Sequence, residues 1–261
     1  MYTADQVRQL DAHAIEHGGI ESFALMQRAG RAAFREIRER HPQAAPWCVV
    51  TGAGNNAGDG FEVACLAREA GLDVQVVALR PVAALQGDAA RAAAAWLNSG
   101  GTVRAWPDCP AAPALVVDAL LGTGLGRDVE GEFAEAVAWI NSQVCPVVAL
   151  DVPSGLDSDT GSVRGCAVRA ALTVSFVGRK RGLYTADGPD HSGERVFDAL
   201  GAPEPPTDIA DAAGRLLARD DIAAALPPRV RNAHKGRNGH VLVIGGAAGM
   251  GGAVRLAGEA A

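Results

Sequence analysis

The sequence predicts an α/β fold, a three-layer sandwich with a mostly parallel central sheet preceded by two N-terminal helices. Three observations carry this expectation. Short β-branched runs, WCVV, VQVVAL, LVVDALL and PVVALDV, recur along the first 152 residues. They alternate with helical periodicity at about 59–70, 86–98 and 132–141, and strand–helix–strand crossovers are right-handed and put helices on both faces of a parallel sheet. Finally, glycine-rich turns follow several of the runs, at the strand ends where open parallel sheets place ligands.

The elements follow in order. Thr3 and Gln6 have capping-box spacing ahead of a polar helix, and Met26, Ala29, Ala33 and Ile37 recur at helical spacing in a second one. The four runs above are strands, and ALTVSF and ERVFDA add two more. GAPEPPTD, residues 201–208, reads as a linker because it is proline-rich and lacks apolar periodicity. Beyond it lie DDIAAALPP and HKGRNGHVLVIGGAAGMGGAVRLAGEAA. A strand, a glycine turn and one helix are too few elements to bury their own apolar faces.

Composition excludes several classes of function. A chain of 261 residues, 48% hydrophobic, suits one large or two modest domains with an ample core. Thirty acidic against 24 basic residues give a net charge of -6, and no Lys/Arg stripe forms, which argues against nucleic acid as a partner. No window approaches the roughly 18 apolar residues of a membrane span, and the opening MYTADQVRQLD is not a secretory signal. The expected location is therefore cytoplasmic, with no membrane partner. Cys48, Cys65, Cys109, Cys145 and Cys166 are odd in number and form no C-x-x-C pair, so they read as small buried hydrophobes rather than zinc or redox groups. His13 and His17 share a helix face at i, i+4 but have no third ligand nearby, so they read as surface residues, while His234 and Lys235 open the second segment and are expected to serve it.

The stretch VVTGAGNNAGDG satisfies G-x-G-x-x-A between a strand and a helix. A dinucleotide cofactor site also needs a carboxylate near the end of the second strand, where this chain has Arg80 in VQVVALR, better read as a solvated charge than as a 2′-phosphate ligand. No P-loop motif is present. What remains distinctive is NNAGDG, two amides and a carboxylate at a strand's C-terminal end; a plain turn would use the same residue types. DALLGTGLGRD places Asp118 at the end of the third run, followed by the Gly122–Gly126 turn, and ALDVPSGLDSDTG places Asp151 and Ser154 at the end of the fourth. Each alone reads as capping. Together, Asn56, Asp118 and Ser154 offer amide, carboxylate and hydroxyl oxygens, a hard donor set whose single formal charge favours a monovalent cation over magnesium.

GNNAGDG, DALLGTGLGRD, DVPSGLDSDTG and SFVGRKRGL, with the leading YTADQVRQLD and ALMQRAG, resemble the N-terminal domain of the NAD(P)H-hydrate epimerase family in order and spacing over residues 1 to about 200. The tail from His234 is similar to the start of an ADP-dependent NAD(P)H-hydrate dehydratase domain of ribokinase-like fold. The resemblance implies a Rossmann-like epimerase domain at 1–203, a linker at 204–214 and an incomplete dehydratase start at 215–261. ADP/ATP and dehydratase chemistry would belong only to a full-length bifunctional fusion. The implied substrate is NADH or NADPH carrying a hydroxyl at C6 of the reduced nicotinamide ring, whose epimers are interconverted; the dinucleotide is then substrate, not redox cofactor. No further partner is implied, and a homo-oligomer stays open.

Carried onto this sequence, the family's substrate-binding positions fall on Asn55, Asn56, Ala57, Gly58 and Asp59, on Gly122, Thr123, Gly124, Leu125, Gly126, Arg127 and Asp128, and on Asp151. Its potassium ligands, one ion per site, fall on Asn56, Asp118 and Ser154. Ala57 stands where the family usually has glycine, a change that costs roughly 1 kcal/mol or more if the position needs φ > 0. C6 bears both a hydroxyl and the ring nitrogen, so acid-assisted loss of hydroxide leaves a nitrogen-stabilised cation open to water on either face. Asp151 is the candidate to move the proton or stabilise that cation, with ribose binding or turn capping as its alternative. Lys180 is the second candidate, with a solvated surface lysine as the alternative. Two other readings stand beside this one: a non-catalytic interaction module, as this fold also serves in eukaryotic RNA-decapping scaffolds, and a conventional NAD(P)-dependent oxidoreductase, for which no ribose carboxylate is found.

Overall fold

In the computed structural model, residues 1–212, 214–226, 231–232, 236 and 240–260 are described; His234 and Lys235 lie outside them. The chain divides into two compact units, Met1–Arg215 and Leu216–Ala261. The first opens with helices α1 (Ala4–Glu16) and α2 (Ser22–Arg40), and the expected capping box is present: the Gln6 amide donates to Thr3 Oγ1 at 3.3 Å and the Thr3 amide to Gln6 Oε1 at 2.9 Å. There follow β1 (Trp47–Thr51), α3 (Asn55–Glu69), β2 (Val74–Ala78), α4 (Gly87–Asn98), β3 (Val103–Ala105), β4 (Leu115–Ala119), α5 (Gly131–Ser142), β5 (Val147–Leu150), β6 (Leu172–Phe176), α6 (Gly188–Ser192), β7 (Glu194–Asp198) and α7 (Thr207–Ala212). The short helix α7 falls inside the stretch expected to be a linker.

The seven strands form one sheet in the order β3-β2-β1-β4-β5-β6-β7, parallel at every pairing. Strand side chains alternate between two apolar layers, as the two-residue period of a strand requires. Trp47 and Val49 of β1, with Leu115, Val117 and Ala119 of β4, pack under α2, α3 and α4. Cys48, Val50 and Val116 face the other way, against Ala136, Val137 and Ile140 of α5. Strands buried on both faces read as continuous apolar runs, which is why the sequence exposes them.

Two expectations need correction. The edge strand β3 was not anticipated, so Asp118 ends the fourth strand and Asp151 follows the fifth; Val103-Arg104-Ala105 is short and half exposed and carries no apolar run. Helix α3 begins at Asn55, not near residue 59, so NNAGDG is helix rather than turn.

The second unit holds α8 (Arg219–Ala225) and α9 (Gly252–Ala260). The strand expected in HVLVIGG is not formed: Val241, Leu242 and Ile244 are extensively exposed, and no neighbouring strand among the described residues accepts their hydrogen bonds. No helix among the described residues is long and apolar enough to cross a membrane.

Candidate active site

From β1 the chain winds outward through β2 to β3, then returns to β4 on the other side of β1 and winds outward again. The carboxyl ends of β1 and β4 therefore flank a topological switch point, where diverging connections leave a crevice. A cleft of about 800 Å³ opens there. Of the residues singled out in the sequence, Asn55, Asn56, Asp59, Gly122–Arg127, Asp151 and Lys180 line it, whereas Ala57, Gly58, Asp118, Asp128 and Ser154 do not.

The first turn of α3 explains both outcomes for residues 55–59. Gly54 is its N-cap in an extended conformation, so the opening amides of the helix face the cleft without a side-chain cap and constitute an anion-favouring end. Two asparagines, two glycines and an aspartate are poor helix formers, and packing overrides them. A Cβ on Gly58 would lie 2.6 Å from the Met26 side chain and 2.9 Å from Ala89 Cα, and one on Gly60 would lie 2.6 Å from Ala119 Cβ, so glycine lets α3 approach α2, α4 and the sheet. Ala57 is fully buried within this helix and is not among the residues with positive φ. The left-handed penalty therefore does not arise.

Asn56, Asp118 and Ser154 are brought together around the backbone of Leu121. Asn56 Nδ2 donates to the Leu121 carbonyl at 2.8 Å, and the Leu121 amide donates to Ser154 Oγ at 2.9 Å. Ser154 Oγ donates to Asp118 Oδ1 at 2.6 Å, while the Ser154 amide reaches Asp118 Oδ2 at 2.8 Å and the Leu120 amide reaches Oδ1 at 3.2 Å. Burial raises the Asp118 carboxyl to about 6 even though these hydrogen bonds pull the other way. Asn56 Oδ1 is buried and has no hydrogen-bond partner among the described residues. An orphaned oxygen beside an under-compensated carboxylate fits a cation.

Asp151 and Lys180 meet in the cleft. Asp151 directly follows β5 with φ 66°, left-handed, a conformation tolerated by aspartate better than by most residues. Its amide donates to the Val174 carbonyl at 2.8 Å, and its Oδ1 accepts the Phe176 amide at 3.3 Å and the ammonium of Lys180. Lys180 is 1% exposed and also donates to the Phe176 carbonyl at 2.7 Å, so it is not the solvated lysine its basic neighbours suggested.

Asp11 of α1 also lines the cleft and was missed. Val7, Asp11 and Ile15 form an i, i+4, i+8 stripe along it, and a carboxylate in an otherwise apolar stripe is the signal that sequence offered. Burial lifts Asp11 to about 6, with Lys180 lowering it and Asp151 raising it. Burial also holds the Asp59 carboxyl well above its ordinary range, reinforced by the charge of Asp151 and opposed by Lys180.

The other candidates fall outside the cleft. Arg80 pairs with Glu132 at 2.7 Å and stacks over the Phe133 ring, its centre 4.9 Å from the centroid. His13 and His17 stack on each other at 4.6 Å, and no group of three His, Cys, Asp or Glu side chains among the described residues is placed to hold a metal. All five cysteines are free, but only Cys48 is fully buried; the other four are partly exposed, a correction to their reading as core residues.

Residues 22–182 match the family described as YjeF-related protein N-terminus. The bifunctional NAD(P)H-hydrate repair enzyme Nnr of Coxiella burnetii is 45% identical over 266 residues, covering all of this chain and 54% of the relative, and its Escherichia coli counterpart is 38% identical over 265 residues, covering 51% of that protein. The chain thus spans about half the length of these relatives. The NAD(P)H-hydrate epimerase of Limosilactobacillus fermentum is 38% identical over 202 residues, 74% of this chain and 93% of that protein. In fold, the chain is similar to the crystal structure of the yeast protein YNL200c, with a TM-score of 0.67 at 18% identity over 81% of this chain and 92% of that one. With most of its first unit matched by the family and nearly the whole of an epimerase aligned to it, the chain belongs to the YjeF-related N-terminal family, which includes the NAD(P)H-hydrate epimerases.

Proposed function

We propose that this chain interconverts the R and S epimers of NAD(P)H hydrate. The observation that supports this reading is the ion pair of Asp151 with buried Lys180 inside a cleft large enough for a dinucleotide, in a chain that aligns with 93% of an NAD(P)H-hydrate epimerase.

The substrate's phosphates lie against the uncapped amides at the start of α3 and the Gly122–Gly126 turn, where backbone donors converge on the cleft. The damaged ring then reaches Asp151. When the C6 hydroxyl leaves as water, taking a proton from a cleft acid, the ring nitrogen carries the positive charge and the Asp151 carboxylate stabilises it. Lys180 and the Phe176 amide hold that carboxylate in place. Water returns to either face and its proton goes back to the cleft, so the reaction is balanced and needs no nucleotide cosubstrate.

Asn56, Asp118 and Ser154 would hold a potassium ion, since their oxygens include the orphaned Asn56 Oδ1 and the buried Asp118 carboxylate. A bound ion would supply a fixed positive charge that offsets the buried Asp118 carboxylate. The same residues in a purely capping role would leave Asn56 Oδ1 unsatisfied, which favours the ion. An interaction module without catalysis has no use for a buried ion pair in an open cleft. The test is incubation of pure R-epimer with the protein, without ATP or ADP, followed by chromatography: a mixture of epimers forming faster than in a no-protein control supports the reading.

A further inference from the structure

Departure of a hydroxyl needs an acid, and the structure argues against Asp151 as its source. One Asp151 oxygen is already committed as acceptor to both the Lys180 ammonium and the Phe176 amide. Lys180 is committed to Asp151 and to the Phe176 carbonyl. Helix α1 brings a second carboxyl group to the same cleft. Its N-terminal end is docked on the segment that carries Lys180, where the Tyr2 amide donates to the Arg179 carbonyl at 2.7 Å and the Arg181 amide to the Tyr2 carbonyl at 3.0 Å, and on the loop after β5, where the Ala4 amide donates to Asp159 Oδ1 at 2.6 Å. Leu10 and Val7 close over Gly178, where an added Cβ would lie 3.0 and 3.1 Å from their methyl groups. Asp11 is therefore held relative to Lys180 by the packing of the helical turns that precede it. Among the described residues its carboxyl group has no hydrogen-bond or ion-pair partner within the chain, which leaves it free to meet a ligand.

We propose that Asp11 is the proton donor and acceptor of the epimerisation, a catalytic residue that touches the C6 hydroxyl, with Asp151 as the fixed negative charge; this rests on the epimerase reading. The neutral Asp11 carboxyl gives its proton to the hydroxyl, and the C6–O bond breaks with its electron pair leaving on oxygen as water. Water then adds to C6 from either face and returns one proton to the Asp11 carboxylate. The charged and titratable groups that line the cleft with Asp11 are Lys180 from the loop after β6, Asp151 from the end of β5, Asp59 from α3, Asp88 from α4, Arg127 from the loop after β4 and Arg8 from its own helix; of these Lys180, Asp151 and Asp59 interact with it electrostatically. Burial and Asp151 raise Asp11 and Lys180 lowers it, leaving it at about 6, close to working pH as a shuttling group requires. Burial also holds the Asp59 carboxyl above its ordinary range, which suits a hydrogen-bond donor in the same cleft.

The test is steady-state conversion of the pure R-epimer by the whole protein, corrected for a no-protein control, for wild type, Asp11→Asn and Asp11→Glu. Wild-type kcat is expected to fall above pH about 6, as Asp11 loses its proton. Asp11→Asn keeps the shape of the side chain; its kcat should fall by roughly 10²-fold or more with KM little changed, and the limb near pH 6 should vanish. Asp11→Glu should restore part of the rate and the limb. An active wild type with no such limb, or an Asp11→Asn variant with wild-type kcat, overturns the assignment of Asp11 and leaves the epimerase reading standing. A folded wild type that does not interconvert the epimers overturns the epimerase reading and this inference together.

Discussion

At the scale of single residues, the division of labour between carboxylates can be measured. Asparagine tolerates the left-handed backbone of position 151 as well as aspartate does, so Asp151→Asn removes charge without adding backbone strain. Its expected effect is a fall in kcat of roughly 10²–10⁴ with a smaller change in KM; a raised KM at unchanged kcat would make Asp151 a ribose-binding group instead. The same replacement strips Lys180 of its counter-charge, and breaking a buried pair costs about 3–5 kcal/mol, so the rate is to be read well below the melting transition. For the ion, wild-type protein should be more stable in potassium chloride than in the chloride of a large organic cation, by about 1.4 kcal/mol at ten times Kd. Asp118→Asn should erase that difference, and equal stability in the two salts would leave Asn56, Asp118 and Ser154 as a capping network. Asn56, Asp118, Asp151 and Ser154 were legible in the sequence because amide, carboxylate and hydroxyl groups at strand ends have few structural uses together. Asp11 left only a faint signal, one carboxylate between Val7 and Ile15 in a helix polar enough to look solvated until it is docked.

Elements were legible where burial was complete. Each two-face-buried strand announced itself as a β-branched run, whereas β3, half exposed and three residues long, left no pattern. The start of α3 was misread for a physical reason: NNAGDG has turn composition, and only contacts distant in sequence, Gly58 with α2 and α4 and Gly60 with β4, make it helical. Those contacts predict an asymmetric tolerance. Gly60→Val must push against Ala119 of a central strand and should cost about 1–3 kcal/mol in denaturant unfolding, the usual cost of overpacking. Gly54→Ala, one step outside the helix with nothing within 4 Å of an added Cβ, should change stability far less. Equal costs at the two positions would contradict the close packing of α3 on the sheet.

At the scale of the whole molecule, the parallel order β3-β2-β1-β4-β5-β6-β7 sets the site before any side chain is considered, because it places the switch point between β1 and β4. Every residue given a role here lies in the unit Met1–Arg215. The strand expected in the second unit failed for the converse reason: its apolar residues have no neighbouring strand to pair with among the described residues. The central claim is that this cleft breaks and remakes the C6–O bond of a hydrated nicotinamide. It is tested most directly by incubating pure R-epimer with the protein in oxygen-18 water and separating the products by chromatography with mass detection. Both epimers are expected to appear faster than in a no-protein control, with the heavy oxygen in the S-epimer. An epimer ratio equal to that control, or an S-epimer that retains its original oxygen, would contradict the central claim.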